Sequence, residues 1–266
     1  MESFAKSQKK DPKEAMRDRF GAIILCGGKG TRMSLLTEDK IPKPLYSVNG
    51  KELISYSLDL LDESGINRIL FAVKHLSEQI ESWINSSNLN CDAVVIKIQG
   101  RSTAAAISEG LALIDRDQVV ILSGDEIIMN FKLASMMEQH ERTESLLTIL
   151  ATDPRNAVGD GVLLELDGNR IKGISEKRSE IGRSGQHGLL YHAGVIMIKQ
   201  EALQYIALGE QDPKGGVIDM PIMRGGLSAG ILNAYVDKNL TFFNINSPKE
   251  VNVAESKLSY MKRFVR

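Results

Sequence analysis

The chain has 266 residues, 42% of them apolar, with 33 lysines and arginines set against 34 aspartates and glutamates. That length buries a sizeable core, and the near balance of charge excludes a global positive field for nucleic acid or an anionic membrane. Any anion site therefore has to be local, and no apolar run approaches the roughly eighteen residues that span a bilayer.

Residues 1–20, MESFAKSQKKDPKEAMRDRF, mix both charges and lack an apolar h-region. They read as a charged, solvated extension rather than a secretory signal, and their acids make a poor transit peptide. A single domain is expected over 21–266. In its first half GAIILC (21–26), RILFAVK (68–74), CDAVVIKI (91–98) and QVVILSG (118–124) have the composition of buried strands. Between them 52–61, 77–84, 103–114 and 132–141 carry apolar residues at helical spacing. Alternation of this kind predicts parallel strands with right-handed crossovers.

The second half is richer in strands: 145–151, 161–176 and 191–198, with Asp167-Gly168 as a hairpin turn signal. An irregular loop with three glycines covers 179–188. A helix near 217–223, strands at 231–236 and 241–245, and a closing helix over 248–261 complete the chain. The fold class expected is α/β, a Rossmann-like doubly wound mixed sheet with a small added β lobe. The two cysteines, Cys26 and Cys91, lie at strand ends outside any CxxC or Cys/His cluster. Two buried free thiols in a reducing cytoplasm are expected rather than a disulfide.

The first strand breaks into Gly27-Gly28-x-Gly30-Thr31-Arg32, and Pro42-Lys43-Pro44 follows. Glycines after a strand expose backbone N–H groups and let a phosphate approach them. Two familiar phosphate loops fail here. Lys29 is followed by Gly30 rather than Ser or Thr, which excludes Walker A. Met33 stands where the dinucleotide fingerprint needs glycine. His187 and His192 are five apart with no third ligand nearby, too sparse for zinc.

Those residues instead resemble the signature of the sugar-1-phosphate nucleotidyltransferases, the nucleoside-diphosphate-sugar pyrophosphorylases. The resemblance covers about residues 20–260. Gln99-Gly-Arg-Ser-Thr-Ala-Ala-Ala106, Ser-Gly-Asp125, Ser-Glu176-Lys177, Tyr-His192-Ala-Gly-Val195 and Phe243-Asn-Ile-Asn-Ser-Pro248 resemble further family motifs in order. Pro-Lys-Pro-Leu followed by Val-Asn-Gly-Lys looks most like mannose- or heptose-1-phosphate guanylyltransferases. No β-helix repeat pattern follows, so no appended acyltransferase tail is expected.

The resemblance implies a GT-A-like fold whose added lobe binds sugar. It also implies attack by a sugar 1-phosphate on the α-phosphorus of a nucleoside triphosphate, with loss of pyrophosphate. Such a phosphate is already a nucleophile at neutral pH, so no Ser/His/Asp relay is needed. Catalysis then rests on holding negative charges in line.

The implied catalytic residues are Arg32 for the β- and γ-phosphates, Lys43 for the α-phosphate, Lys177 for the incoming sugar phosphate and Asp125 for Mg²⁺. Nucleotide-binding residues are Leu25, Gly27, Gly28, Gly30, Thr31, Gln99 and Thr103. Gly161, Glu176 and His192 face the sugar. Asn244 stands where the family has a second metal aspartate, and His192 where it has asparagine. Bland readings stand beside three of these: Asp125 as a helix N-cap, Gln99 as a surface polar residue, His192 as a backbone-satisfied core histidine.

The partners implied are a nucleoside triphosphate and a sugar 1-phosphate, with neither nucleic acid nor membrane; a homo-oligomer is compatible. The alternatives are a catalytically weakened homologue acting as a nucleotide- and sugar-binding regulatory subunit, and a cytidylyltransferase for a non-sugar alcohol phosphate.

Overall fold

The computed structural model describes residues 18–100, 102–175, 188–204 and 220–264. Most of the N-terminal extension, the loop after 178, Glu176 and Lys177 lie outside the described residues. Fourteen strands are described: β1 Phe20–Cys26, β2 Ser47–Val48, β3 Lys51–Glu52, β4 Arg68–Val73, β5 Asp92–Lys97, β6 Gln118–Ser123, β7 Glu126–Met129, β8 Leu147–Thr152, β9 Ala157–Val158, β10 Leu163–Asp167, β11 Arg170–Ser175, β12 Leu189–Lys199, β13 Leu232–Val236 and β14 Thr241–Asn244. The helices are α1 Ser34–Thr37, α2 Leu53–Ser64, α3 Ser77–Ser86, α4 Thr103–Leu113, α5 Leu133–Arg142, α6 Met220–Ser228 and α7 Pro248–Phe264.

Nine strands form one mixed sheet in the order β10-β11-β13-β8-β12-β6-β1-β4-β5. The four strands expected from the first half make its parallel side, with β1 paired to β4 and β6, and β4 to β5. Strand β12 runs antiparallel between β6 and β8 and makes the sheet mixed. One apolar cluster fills the face under α2, α3 and α5, with Phe20, Ile24, Phe71 and Met137. A second fills the face under α4 and α6, with Ile23, Leu70, Ile107 and Met223. Both sides of β1 and β6 are therefore dry, which is why those strands read as continuous apolar runs.

Local chemistry sets the helix limits. Ser102 accepts a hydrogen bond from Ala105 N and caps α4, a contribution of about 1 kcal/mol. Gly65, at φ 79°, closes α2 in the left-handed region. The hairpin differs from expectation by one position. Asp167 still pairs with Arg170, so the loop is Gly168-Asn169, and Gly168 supplies the positive φ of 58°.

A second small sheet, β7-β14-β9, contains a strand that periodicity does not reveal, the four-residue β7 directly after Asp125. Asp125 therefore precedes a strand, and the N-cap reading fails. Cys26 is buried and Cys91 only partly so, because Cys91 enters the edge strand β5; both are free. Burial, aided by the Asp125 charge, pushes the Cys26 thiol up beyond any physiological ionisation.

His140 on α5 is fully buried, with Nδ1 2.7 Å from Thr148 Oγ1 and Nε2 without a partner. Burial, with a smaller push from Lys199, lowers its pKa from 6.5 to about 4. The unfolded chain thus binds one more proton than the folded one between those values. Stability is expected to be flat above about pH 6.5 and to fall as pH drops toward 4, by about 3 kcal/mol from this group alone. Urea midpoints at pH 7 and 4.5 check this, and His140→Gln should flatten that part of the slope. An unchanged slope would contradict the assignment.

Candidate active site

The carboxyl ends of the parallel strands open into a cleft of about 340 Å³, lined by Leu25, Gly27, Gly28, Thr103 and Asp125 among others. Five residues placed there by sequence are thus brought together. Ligands of open α/β sheets settle at this edge because the loops beyond the strand ends diverge there.

Two glycines make the edge possible. Gly30 adopts φ 63°, and a Cβ there would come within 3.1 Å of Lys43 Cβ. The glycine turn and the proline-flanked lysine, separated in sequence, are therefore packed against each other. Gly124 lies over β1, donating to Leu25 O at 2.9 Å, and an added Cβ would meet Cys26 Sγ at 2.9 Å and Pro44 Cβ at 3.3 Å. That contact sets Asp125 beside Lys43.

Lys43 is buried, its side chain 6% exposed, and Nζ lies 2.5 Å from Asp125 Oδ2 and 2.8 Å from Asn246 Oδ1. Asn246 Nδ2 donates to Asn244 Oδ1 at 2.6 Å, and Asn244 Nδ2 donates to Asp160 O at 2.9 Å. Asp160 Oδ2 in turn accepts from Arg32 Nη1 at 3.3 Å. Arg32, Asp160, Asn244, Asn246, Lys43 and Asp125 thus form one polar chain. Its two ends differ in strength. The Arg32–Asp160 pair is largely exposed and contributes about 1 kcal/mol or less, so an incoming phosphate can replace it. The Lys43–Asp125 pair is shielded and fixes its members.

Asp160 and Asn246 were not singled out by sequence reasoning. Asn246 lies inside the quoted Phe243–Pro248 stretch, and Asp160 directly precedes Gly161. Of the other expected residues, Thr31 opens the short 3-10 turn Thr31–Met33 with Arg32 in its last turn. Gln99 is exposed and does not line the cleft; its Nε2 donates to Lys97 O at 3.2 Å. Lys74, which was not expected, lines the cleft instead.

Gly161, just before β10, and His192, on β12, lie together where those two strands of the main sheet pair, and His192 N donates to Val162 O at 2.9 Å. The His192 ring is turned to the core, with Nδ1 3.3 Å from Leu150 O and the residue 5% exposed.

Among the described residues no group of three or more His, Cys, Asp or Glu side chains could hold a metal. The residues nonetheless fit Mg²⁺, which takes hard oxygen donors and commonly one or two from the protein. Asp125 offers a carboxylate and Asn244 an amide oxygen, on adjoining chain segments where Ile245 N donates to Asp125 O at 3.3 Å.

This open mixed sheet with a cleft at its parallel edge is shared with solved nucleotidyltransferase structures. In line with this, a putative glucose-1-phosphate thymidylyltransferase of Bacillus anthracis aligns over 90% of this chain and 94% of its own, at TM-score 0.74 and 18% identity. The inositol-1-phosphate CTP transferase of T. maritima aligns over 91% and 96%, at TM-score 0.69 and 18% identity. The family model described as nucleotidyl transferase matches residues 21–212, and the chain belongs to that family.

The UTP--glucose-1-phosphate uridylyltransferase of Synechocystis is 28% identical over 77% of this chain. The probable glucose-1-phosphate cytidylyltransferase of Bacillus subtilis is 24% identical over 70% of this chain and 77% of its own. The match spans 56% of the length of the Synechocystis relative and 33% of the bifunctional protein GlmU of Geobacter sulfurreducens, which is 31% identical over 60% of this chain.

Proposed function

We propose that the protein transfers a nucleotidyl group from a nucleoside triphosphate to a sugar or sugar-like 1-phosphate and releases pyrophosphate. The observation that carries this reading is the polar chain from Arg32 to Asp125, which reaches the cleft at Asp125. It offers two cations of different freedom and one shielded carboxylate, and no activated nucleophile.

In this reading the base enters between Leu25, Gly27 and Thr103, and the phosphates cross the backbone N–H groups of the Gly27–Thr31 turn. Lys43 reaches the α-phosphate and holds it as charge builds in the transition state. Arg32 leaves Asp160 and forks onto the departing pyrophosphate, two parallel donors on one anion. Gly161 and His192 border the sugar, with Glu176 and Lys177 as its carboxylate and phosphate cation. Asp125 and Asn244 would hold Mg²⁺, which when bound neutralises charge between the two phosphates. The described residues include no helix long and apolar enough to cross a membrane, and a cytoplasmic site of action is part of the proposal.

The test is pyrophosphate release from the purified protein with Mg²⁺, across five common triphosphates and a panel of sugar and cyclitol 1-phosphates. At least one pair should release pyrophosphate only when both substrates are present. Triphosphate binding with no release from any pair would contradict transfer and favour a binding subunit.

A further inference from the structure

The names of the relatives include uridylyl and cytidylyl transferases, so family membership leaves the base open. The base end of the cleft is more informative. Lys74 directly follows β4 and lies beside Gly27, where an added Cβ would sit 3.3 Å from Lys74 Cβ. Its Nζ bonds the carbonyl oxygens of Gln99 and Gly100 at 3.3 and 2.5 Å.

The same loop is held from its other side by Glu109 on α4. That carboxylate accepts Gln99 N at 3.1 Å and Gly100 N at 2.9 Å. The N–H groups of Gln99 and Gly100 are therefore engaged, and the Gln99 amide faces Lys97 O. Among the described lining residues only Lys29, Lys74 and Asp125 are charged. Lys29 belongs to the phosphate turn and Asp125 to the opposite end of the polar chain. Lys74 is thus the charged group at the base end, with three donors, no acceptor, and two donors engaged.

We propose that Lys74 donates its remaining N–H to a keto oxygen of the base. That oxygen is the one at C6 of a purine or C4 of a pyrimidine, so the cleft selects triphosphates of guanine, uracil or thymine over those of adenine and cytosine, which carry an amino group at that position. The exocyclic amino groups of the latter two point donors at a donor, a mismatch that adds to the preference for the keto form. This inference rests on the proposed placement of the nucleotide in the cleft.

Matched pairs that differ only in keto against amino, ITP with ATP and UTP with CTP, isolate the contact. Affinity by calorimetry and kcat/KM by pyrophosphate release are measured for the wild type, Lys74→Met and Lys74→Arg. The keto member of at least one pair should be preferred about tenfold or more, a ratio that Lys74→Met brings near one and Lys74→Arg retains.

Preference for an amino base, equal affinity within both pairs, or a ratio that survives Lys74→Met would each overturn the proposal. So would an equal loss for both members, since that is the signature of a loop anchor alone. A keto preference in affinity with no turnover from any sugar phosphate would sink the transfer reaction and leave the role of Lys74 standing. No binding of any triphosphate would sink both.

Discussion

Lys43→Met is expected to lower pyrophosphate release at least about a hundredfold, while the chain stays folded. The reasoning starts from geometry. Methionine keeps most of the stem that packs against Gly30 and removes only the ammonium between Asp125 and Asn246. A fixed cation at the reacting phosphate stabilises charge that develops only in the transition state, so its loss appears in turnover more than in binding. The cost in stability should be about 1–3 kcal/mol, toward the low end because the Asp125 side chain, 21% exposed, still reaches water. Turnover assays with a thermal melt separate the two effects. A stable variant with near-normal turnover would remove Lys43 from the mechanism. Arg32→Ala should show a similar loss of turnover with almost no change in the melt, because its partner Asp160 is exposed.

Asp125→Asn is expected to be the more severe change, with turnover down by at least about a thousandfold. Asn244, the only other oxygen ligand assigned, is neutral, so the site would have no formal charge left to attract a divalent cation. The substitution also strands Lys43, 6% exposed, without its counter-ion; breaking a buried pair in this way costs about 3–5 kcal/mol, less here because Asn246 remains a partner. Combining Asp125→Leu with Lys43→Met should recover most of the stability and none of the activity, since the pair is removed as a unit. Binding of Mn²⁺ followed by its spin-resonance signal gives a readout apart from turnover. Undiminished binding in Asp125→Asn would contradict its role as ligand.

Much of the fold and part of the site can be read from the chain alone, and the reasons are physical. Strands β1, β4, β5 and β6 are recognisable because three of them are covered on both faces and so keep unbroken apolar runs. Gly30 and Lys43 stand out because a positive φ and a shielded cation each restrict which residue can serve. Asp160 and Asn246 do not stand out, since their value comes from partners 128 and 203 residues away, Arg32 and Lys43.

Strand β7 has four residues and no period of its own; its pairing with β14 creates it. Gln99 is assigned to the base by position, and its side chain is turned aside in a loop whose backbone Glu109 and Lys74 engage, contacts between separate elements that a local motif does not encode. His192 likewise keeps its place on β12 beside Val162 while its ring Nδ1 meets Leu150 O in the sheet.

A crystal structure with a non-hydrolysable triphosphate and Mg²⁺ tests the central claim most directly. The account predicts phosphates over the Gly27–Thr31 turn, Lys43 on the α-phosphate, Arg32 released from Asp160, and the metal on Asp125. A nucleotide bound away from the carboxyl end of β1, or a metal that leaves Asp125 untouched, would contradict it.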